Sequence, residues 1–382
     1  MGASTASGLV GLDIGTSGIR AVQVKRHRRS GDYEIVRAAS VELPRGAIRN
    51  GAIADEKVVA KALKRLWKQG RFSTRKVAIG LADSGVLTRQ LELPWMPPAD
   101  FRTALRYQVN EALPVDPSTV ELDYHLLGEV ERTDDHDQPV EFNRILIVAA
   151  NRDAVAAEAN VVRKAGLRPV VADSAAFALI RAACQGRLPD GDDAHAIADI
   201  GADQLTVVIH QGGQPRFIRT IANLGGETAT QAVAERLGVD PDVAEHFKRD
   251  TGLNGPAPVV APIAESSVFG GGGADDAPAV DQRVTQTVEV LNPWAATVVN
   301  EVRNSLDYFQ ASNPGAPVRS LTLAGRTAEL DGLVERIATQ IPLPVRTMDP
   351  LVGLSASRAV AKNGPPDARL AVAAGLAMGV PA

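Results

Sequence analysis

The chain has 382 residues, of which 45% are hydrophobic, 23% charged and 4% aromatic, a globular balance with an aliphatic interior and too many residues for one ordinary core. Its 41 basic and 45 acidic residues leave a formal net charge of −4, which argues against broad nucleic-acid binding through phosphate neutralisation. The single cysteine, Cys184, excludes a disulfide framework within the chain, and its apolar neighbourhood predicts a buried, inert thiol.

In chain order, residues 1–8 are small and uncharged and do not read as a signal peptide. Apolar runs at 9–12, 19–25 and 33–41 predict a three-stranded meander. The basic run Lys25-Arg26-His27-Arg28-Arg29 falls at its tip, either as a solvated turn or as a lipid-binding patch. An amphipathic helix is predicted over 55–69, with Val58, Val59, Ala62, Leu63 and Leu66 on one face and lysines on the other. A small α+β unit follows between about 81 and 150: strand 86–93, the break Pro94-Trp95-Met96-Pro97-Pro98, helix 99–112, and strands 122–130 and 142–149.

The chain continues with helix 152–165, strand 168–172 and a small-residue helix over 173–184. Gly225-Gly226 opens a helix to 237, and Asp240-Pro241 starts another that carries Glu245 and Lys248. Residues 252–278 turn to Gly, Pro, Ala and Ser and predict a flexible loop. A long helix carrying Val290, Val298, Val302, Leu306 and Phe309 precedes strand 320–323, and 368–378 forms a second small-residue helix. No stretch approaches the roughly 20 apolar residues that cross a bilayer, so a cytoplasmic protein is expected, peripheral to a membrane only through a partner.

One phrase occurs twice: Leu12-Asp13-Ile14-Gly15-Thr16-Ser17-Gly18-Ile19 and Ala198-Asp199-Ile200-Gly201-Ala202-Asp203-Gln204-Leu205. Each copy predicts a β-hairpin with an Asp at its mouth. Turns of this kind point backbone N–H groups outward and suit a phosphate, while a carboxylate beside one suits a hydrated Mg²⁺ bound jointly with substrate phosphates. Two copies predict two lobes gripping one nucleotide.

The two hairpins, the Gly turn at Ala324-Gly325-Arg326 and the two small-residue helices, in that order, resemble the actin-like ATPase superfamily. The resemblance implies an α/β fold of two lobes with ribonuclease-H-like sheets closing around ATP and Mg²⁺. It implies a first lobe from 1–81 and 151–190, a second from 191–225 and 300–382, a nucleotide-side subdomain at 226–299, and an inserted interaction subdomain at 82–150. Asp13 and Asp199 would organise the metal and, with Asp173, supply the catalytic carboxylates. The backbone of Gly15, Thr16, Ser17 and Gly18 would wrap the β-phosphate. Arg20 stands where the superfamily often has a lysine, keeping the charge as a planar fork. Gly201, Asp203 and Gln204 would face the γ-phosphate, with Gly225 and Gly226 in the same binding set. Glu245 and Lys248 match ribose and adenine contacts, and as an i, i+3 pair they equally fit a surface ion pair. Close relatives read Gly-Gly-Gly-Ala at the adenosine turn, where this chain has Gly325-Arg326-Thr327-Ala328. Arg326 either stacks on adenine or fills the space the purine needs.

A narrower resemblance is to the PilM family of type IV pilus assembly proteins, related to the cell-division protein FtsA. It rests on Leu43-Pro44-Arg45-Gly46-Ala47-Ile48, Leu93-Pro94-Trp95-Met96-Pro97, Tyr107-Gln108-Val109-Asn110-Glu111, Leu122-Asp123-Tyr124 and Ala165-Gly166-Leu167. It implies an ATP-binding scaffold beneath a pilus or secretion machine that binds the N-terminal peptide of a PilN-like inner-membrane protein. Trp95, Met96 and Phe101 would line the peptide groove, with homo-oligomers allowed and hydrolysis slow at most. An FtsA-like polymer-forming division protein is the alternative; that type usually carries a C-terminal amphipathic membrane helix, whereas this sequence stops soon after the helix expected over 368–378. A small-molecule kinase shares the fold, because fold does not set function.

Overall fold

The computed structural model describes residues 9–27, 29–49, 51–82, 85–97, 100, 105, 113, 116–133, 138–184, 193–255, 282–349, 355–357, 360 and 368–379. The expected meander forms: β1 (Val10–Gly15), β2 (Gly18–Arg26) and β3 (Tyr33–Glu42) run antiparallel. Gly15 pairs with Gly18 and Asp13 with Arg20, so the turn is Thr16-Ser17. The two-residue arms β4 (Ile48–Arg49) and β5 (Ala52–Ile53) lead to α1 (Glu56–Gly70). The Asp55 carboxylate caps α1 by accepting from the N–H groups of Lys57 and Val58. Next comes β6 (Lys76–Leu81), parallel to β1. The sequence did not suggest β6, since a short strand buried on both faces carries no alternation.

The inserted unit contributes β7 (Val86–Pro94), β8 (Val120–Thr133) and β9 (Pro139–Asn151), an antiparallel sheet in the order β7-β9-β8. It has a core of its own around Ile145 and Ile147. Of the helix expected over 99–112 only Asp100 and Leu105 are described, and Leu105 is buried in that core.

The chain then returns to the first sheet through α2 (Arg152–Lys164), β10 (Arg168–Ser174) and α3 (Ala175–Ala183). The helix starts later than expected. Asp173 belongs to the strand, opposite Gly80, and the Ser174 hydroxyl accepts from the Ala176 N–H as the cap. The sheet order is β10-β6-β1-β2-β3, with a short C-terminal strand added at the β3 edge.

A second sheet repeats the plan. In it β11 (Ala194–Ile200), β12 (Gln204–Gln211) and β13 (Gln214–Ala222) form an antiparallel meander. The helices α4 (Gly226–Leu237), α5 (Pro241–Thr251) and α6 (Gln282–Ser312) follow, then β14 (Val318–Ala324), α7 (Leu333–Gln340) and β15 (Val345–Thr347). The order β13-β12-β11-β14-β15 places β14 parallel to β11, as β6 is to β1. Most of the loop expected over 252–278 lies outside the described residues. Helices α4 to α6 share one core with this sheet, with Ala229, Ala244 and Val298 buried among its strands.

The end of the chain departs from expectation. β16 (Ser355–Ala356) pairs with β3, and α8 (Ala371–Met378) packs on the first sheet, so these two elements join the first lobe and not the second. The reason is an open edge at β3 and a very close fit: a Cβ at Gly11 of β1 would lie 2.0 Å from the Ala373 carbonyl oxygen. Between the sheets, α3 packs on Ile197 and Val208 of the second sheet while touching α8. A Cβ at Gly375 would lie 1.8 Å from the Ala178 carbonyl oxygen, so only a small-residue pair crosses here. Among the described residues no helix is long and apolar enough to cross a membrane. Cys184, half-buried at the end of α3, has its thiol pushed up to about 11 by burial, against the Arg346 charge, and stays protonated at neutral pH.

Candidate functional site

The two Asp-bearing hairpins face one cleft. A cavity of about 770 Å³ is lined by Thr16 and Ser17 of the first turn, Ala202 and Asp203 of the second, and Gly226, Glu245, Lys248 and Arg326. A deeper space of about 130 Å³ is lined by Asp13, Gly15, Arg20, Asp199, Gly201, Gln204 and Gly325. The larger volume falls within the roughly 300–1,000 Å³ of small-molecule sites.

Close packing shapes the floor. A Cβ at Gly18 would lie 2.7 Å from the Val41 carbonyl oxygen, which holds the first turn against β3. The N–H groups of Gly226 and Glu227 donate to the carbonyls of Gly201 and Ala202 at 3.0 and 2.7 Å. Gly225 and Gly226 therefore spend their small size on docking α4 against the second hairpin, a Cβ at Gly225 meeting the Ala202 carbonyl oxygen at 2.3 Å. Gly325 has φ +84, a backbone open to glycine, and its Cβ would lie 2.5 Å from Asp199 Oδ1. Thr327 Oγ1 donates to the Gly201 carbonyl at 2.8 Å, so the β14 turn and the second hairpin form one unit.

Charges are paired across short distances. Arg20 Nη1 lies 3.4 Å from Asp13 Oδ2 and its Nη2 donates to Ser17 Oγ at 3.0 Å. Burial raises the Asp13 carboxyl above its ordinary value, with Arg20 opposing. Burial, then the Glu227 charge, also raises Asp203. Lys248 is 7% exposed and donates to the Gly226 carbonyl at 2.9 Å and Thr230 Oγ1 at 2.8 Å, with Glu245 Oε2 at 2.6 Å. The pair is thus buried in the cleft wall and not a surface ion pair. Burial lowers the Lys248 ammonium, whereas Glu245, despite burial that would raise it, is held down to about 2 by Lys248, Thr230 and Arg249.

The lobes also grip each other. Arg45, after β3, pairs with Glu227 of α4, donates through Nε to Asp242 Oδ1 at 2.8 Å and through Nη2 to the Pro241 carbonyl at 3.2 Å. Its guanidinium spans the cleft mouth. Sequence reading included Arg45 in a family motif without a role, because its partners lie nearly 200 positions away.

Not all expected residues meet here. Asp173 lines neither cavity; its carboxylate is held by Arg181 of α3, whose Nε donates to the Gly375 carbonyl at 2.9 Å. Trp95 is 46% exposed, with Nε1 donating to Glu129 Oε1 at 3.2 Å. Met96 packs into the insert's core and Phe101 lies outside the described residues.

Glu158 of α2 was not anticipated. Its Oε1 is closed to solvent with no hydrogen-bond partner among the described residues, and burial, then the Asp13 charge, push the carboxyl up to about 8 from an ordinary 4.5. The folded protein keeps this proton to about pH 8 while the unfolded chain releases it near 4.5. Stability therefore falls as pH rises between those values, by on the order of a few kcal/mol, and levels off above. Glu158→Gln is expected to flatten that fall and to raise the urea midpoint at pH 8.5 in metal-free buffer. An unchanged pH slope in the variant would contradict the assignment.

Two sheets of one plan, each with an Asp hairpin opening on a shared cleft and with two small-residue helices crossing between them, define the actin-like ATPase fold. Solved structures agree. The chain is 24% identical to a chain of a "PilM-PilN type IV pilus biogenesis complex" over 97% of this chain and 98% of that one, at a TM-score of 0.76. It is 15% identical to the ethanolamine utilization protein EutJ from Carboxydothermus hydrogenoformans (97% and 88% covered, TM-score 0.53) and 14% identical to MreB5 of Spiroplasma citri bound to AMPPNP (96% and 94%, 0.50). A family model described as type IV pilus assembly protein PilM matches residues 11–267 and 283–380. The chain belongs to the PilM family.

Proposed function

We propose that this chain is an ATP-binding scaffold of a type IV pilus or related secretion machine, working at the cytoplasmic face of the inner membrane through a PilN-like partner. The observation that carries the nucleotide part is the convergence of both hairpin turns, Lys248 and Arg326 on the same pair of cavities. Asp13 and Asp199 would hold Mg²⁺ through water. Among the described residues no group of three or more His, Cys, Asp or Glu stands ready to cage a metal, which fits an ion completed by substrate phosphates, as Mg²⁺ prefers. When bound, the metal would neutralise phosphate charge; the turn at Thr16-Ser17 would orient the phosphates, and the second hairpin would face the terminal one. Asp173, held by Arg181, is unsuited to activating water, which favours a scaffold over a fast ATPase.

The partner would dock on the first lobe and its insert, with Trp95 as the exposed aromatic anchor. Nucleotide would reach that surface by changing how the lobes close. His125 of β8 bonds Gln214 of β13, a direct link from the insert to the second sheet. An immobilised N-terminal peptide of a PilN-like protein is expected to bind with an affinity that differs with and without Mg·ATP, and Trp95→Ala is expected to weaken it by about tenfold or more. Equal affinity in both nucleotide states would end the coupling, and intact binding by Trp95→Ala would move the groove elsewhere.

A further inference from the structure

Arg326 occupies an unusual position. It is the residue of the β14 turn that lines both cavities, the deep one with Asp13 and Asp199 and the wide one with Glu245 and Lys248. Its side chain is 25% exposed, and among the described residues its guanidinium makes no hydrogen bond; the nearest acid, Glu42 across the cleft, is 3.9 Å away. Burial disfavours its charge, and the guanidinium groups of Arg249 and Arg369 press on it further, against weaker relief from Glu245 and Glu42.

Several other basic groups of the cleft are committed to protein partners. Arg20 is turned onto Asp13 and Ser17, Lys248 onto Glu245 and the Gly226 carbonyl, and Arg45 onto α4 and α5. A half-buried fork of five donors, crowded by like charge, is stabilised by an anion far more than by a neutral ring. With phosphates between the hairpins and the nucleoside beside Glu245, the phosphate nearest the sugar falls at the junction that Arg326 lines. The wide cavity keeps about 770 Å³ with this side chain in place, so Arg326 does not fill the purine's space.

We propose that Arg326 binds the sugar-proximal phosphate of the nucleotide and does not act as a stacking platform for the base. The assignment rests on the nucleotide reading above. It resolves the two roles that the sequence leaves open for this departure from Gly-Gly-Gly-Ala.

The test measures binding of ADP, AMP and adenosine to the full chain by ligand-observed NMR, without Mg²⁺, for the unaltered protein, Arg326→Gln and Arg326→Lys. Arg326→Gln is expected to lose about tenfold in affinity for ADP and AMP, near 1.4 kcal/mol, with adenosine unchanged. Arg326→Lys, which keeps the charge without the plane, is expected to stay within about threefold for ADP. Adenosine affinity falling in step with AMP would mark base stacking and overturn the proposal, and a Lys variant as weak as Gln would show that charge does not carry the binding and overturn it as well. Tighter binding by Arg326→Gln would mark a blocking side chain and overturn it too. If the unaltered protein binds none of the three ligands and no Mg·ATP, the nucleotide reading fails with it; if Mg·ATP binds and Arg326→Gln matches the unaltered protein for ADP and AMP, this assignment alone fails.

Discussion

Asp199→Asn and Asp13→Asn are each expected to abolish the rise in melting temperature that Mg·ATP gives the unaltered protein. At a ligand concentration about a hundred times the dissociation constant, a ligand bound only by the folded state adds about 2.7 kcal/mol. That increment should be present in the unaltered protein and missing in both variants. Asp199 sits at the mouth of the second hairpin, paired with Thr206 and pressed by Gly325. Asp13 sits at the first, buried, with Arg20 offsetting only part of the cost of its charge. Mg²⁺ held through water by Asp13 and Asp199 would supply positive charge beside both carboxylates, so removing either charge would weaken metal and nucleotide together. Thermal unfolding with and without Mg·ATP reads the effect directly. Undiminished stabilisation in both variants would remove the nucleotide reading.

Gly375→Val should destabilise the protein by about 3 kcal/mol or more, at the upper end for overpacking, because the clash is with backbone and not with a flexible side chain. The first added carbon would already stand 1.8 Å from the Ala178 carbonyl oxygen, and α3 and α8 have no slack between two sheets. The urea midpoint should drop accordingly, while Gly315→Val, where a Cβ would meet nothing within 4 Å, should leave it near the unaltered value. Equal midpoints for Gly375→Val and the unaltered protein would mean that the helices do not cross at this point. The same contact explains why Ala178 of α3 and Gly375 of α8 stand at the crossing: backbones approach closely only where side chains are small.

Much of the architecture was legible because its signals are local. The Asp-bearing hairpins, the amphipathic α1 and the Pro-started α5 each follow from spacing and caps within a few residues; α1 and the start of α5 formed within a residue of their expected places, while β1 runs three residues past its expected end into the turn. The strand β6 was missed because a short strand covered on both faces has no alternation to read. The helix over 173–184 was expected too early because Ser174 caps it, and a cap is an interaction rather than a composition. Gly225 and Gly226 were expected in the cofactor-binding set; the structure adds that the Gly226 N–H bonds Gly201 and that neither glycine has room for a Cβ, which docks α4 on the second hairpin.

The candidate site divides in the same way. The sequence alone identified the two carboxylates, the two turns and the departure at Arg326, because each is a short motif with its chemistry built into adjacent residues. Only the tertiary structure decided that Asp173 is tied to Arg181 outside the cleft, that Lys248 is buried, that Arg45 spans the lobes, and that Glu158 holds a proton near Asp13. Those outcomes depend on which groups meet across tens to hundreds of residues, and on how much water is left between them. Desolvation and pairing set the charge state of a side chain, and neither is written in the neighbours along the chain.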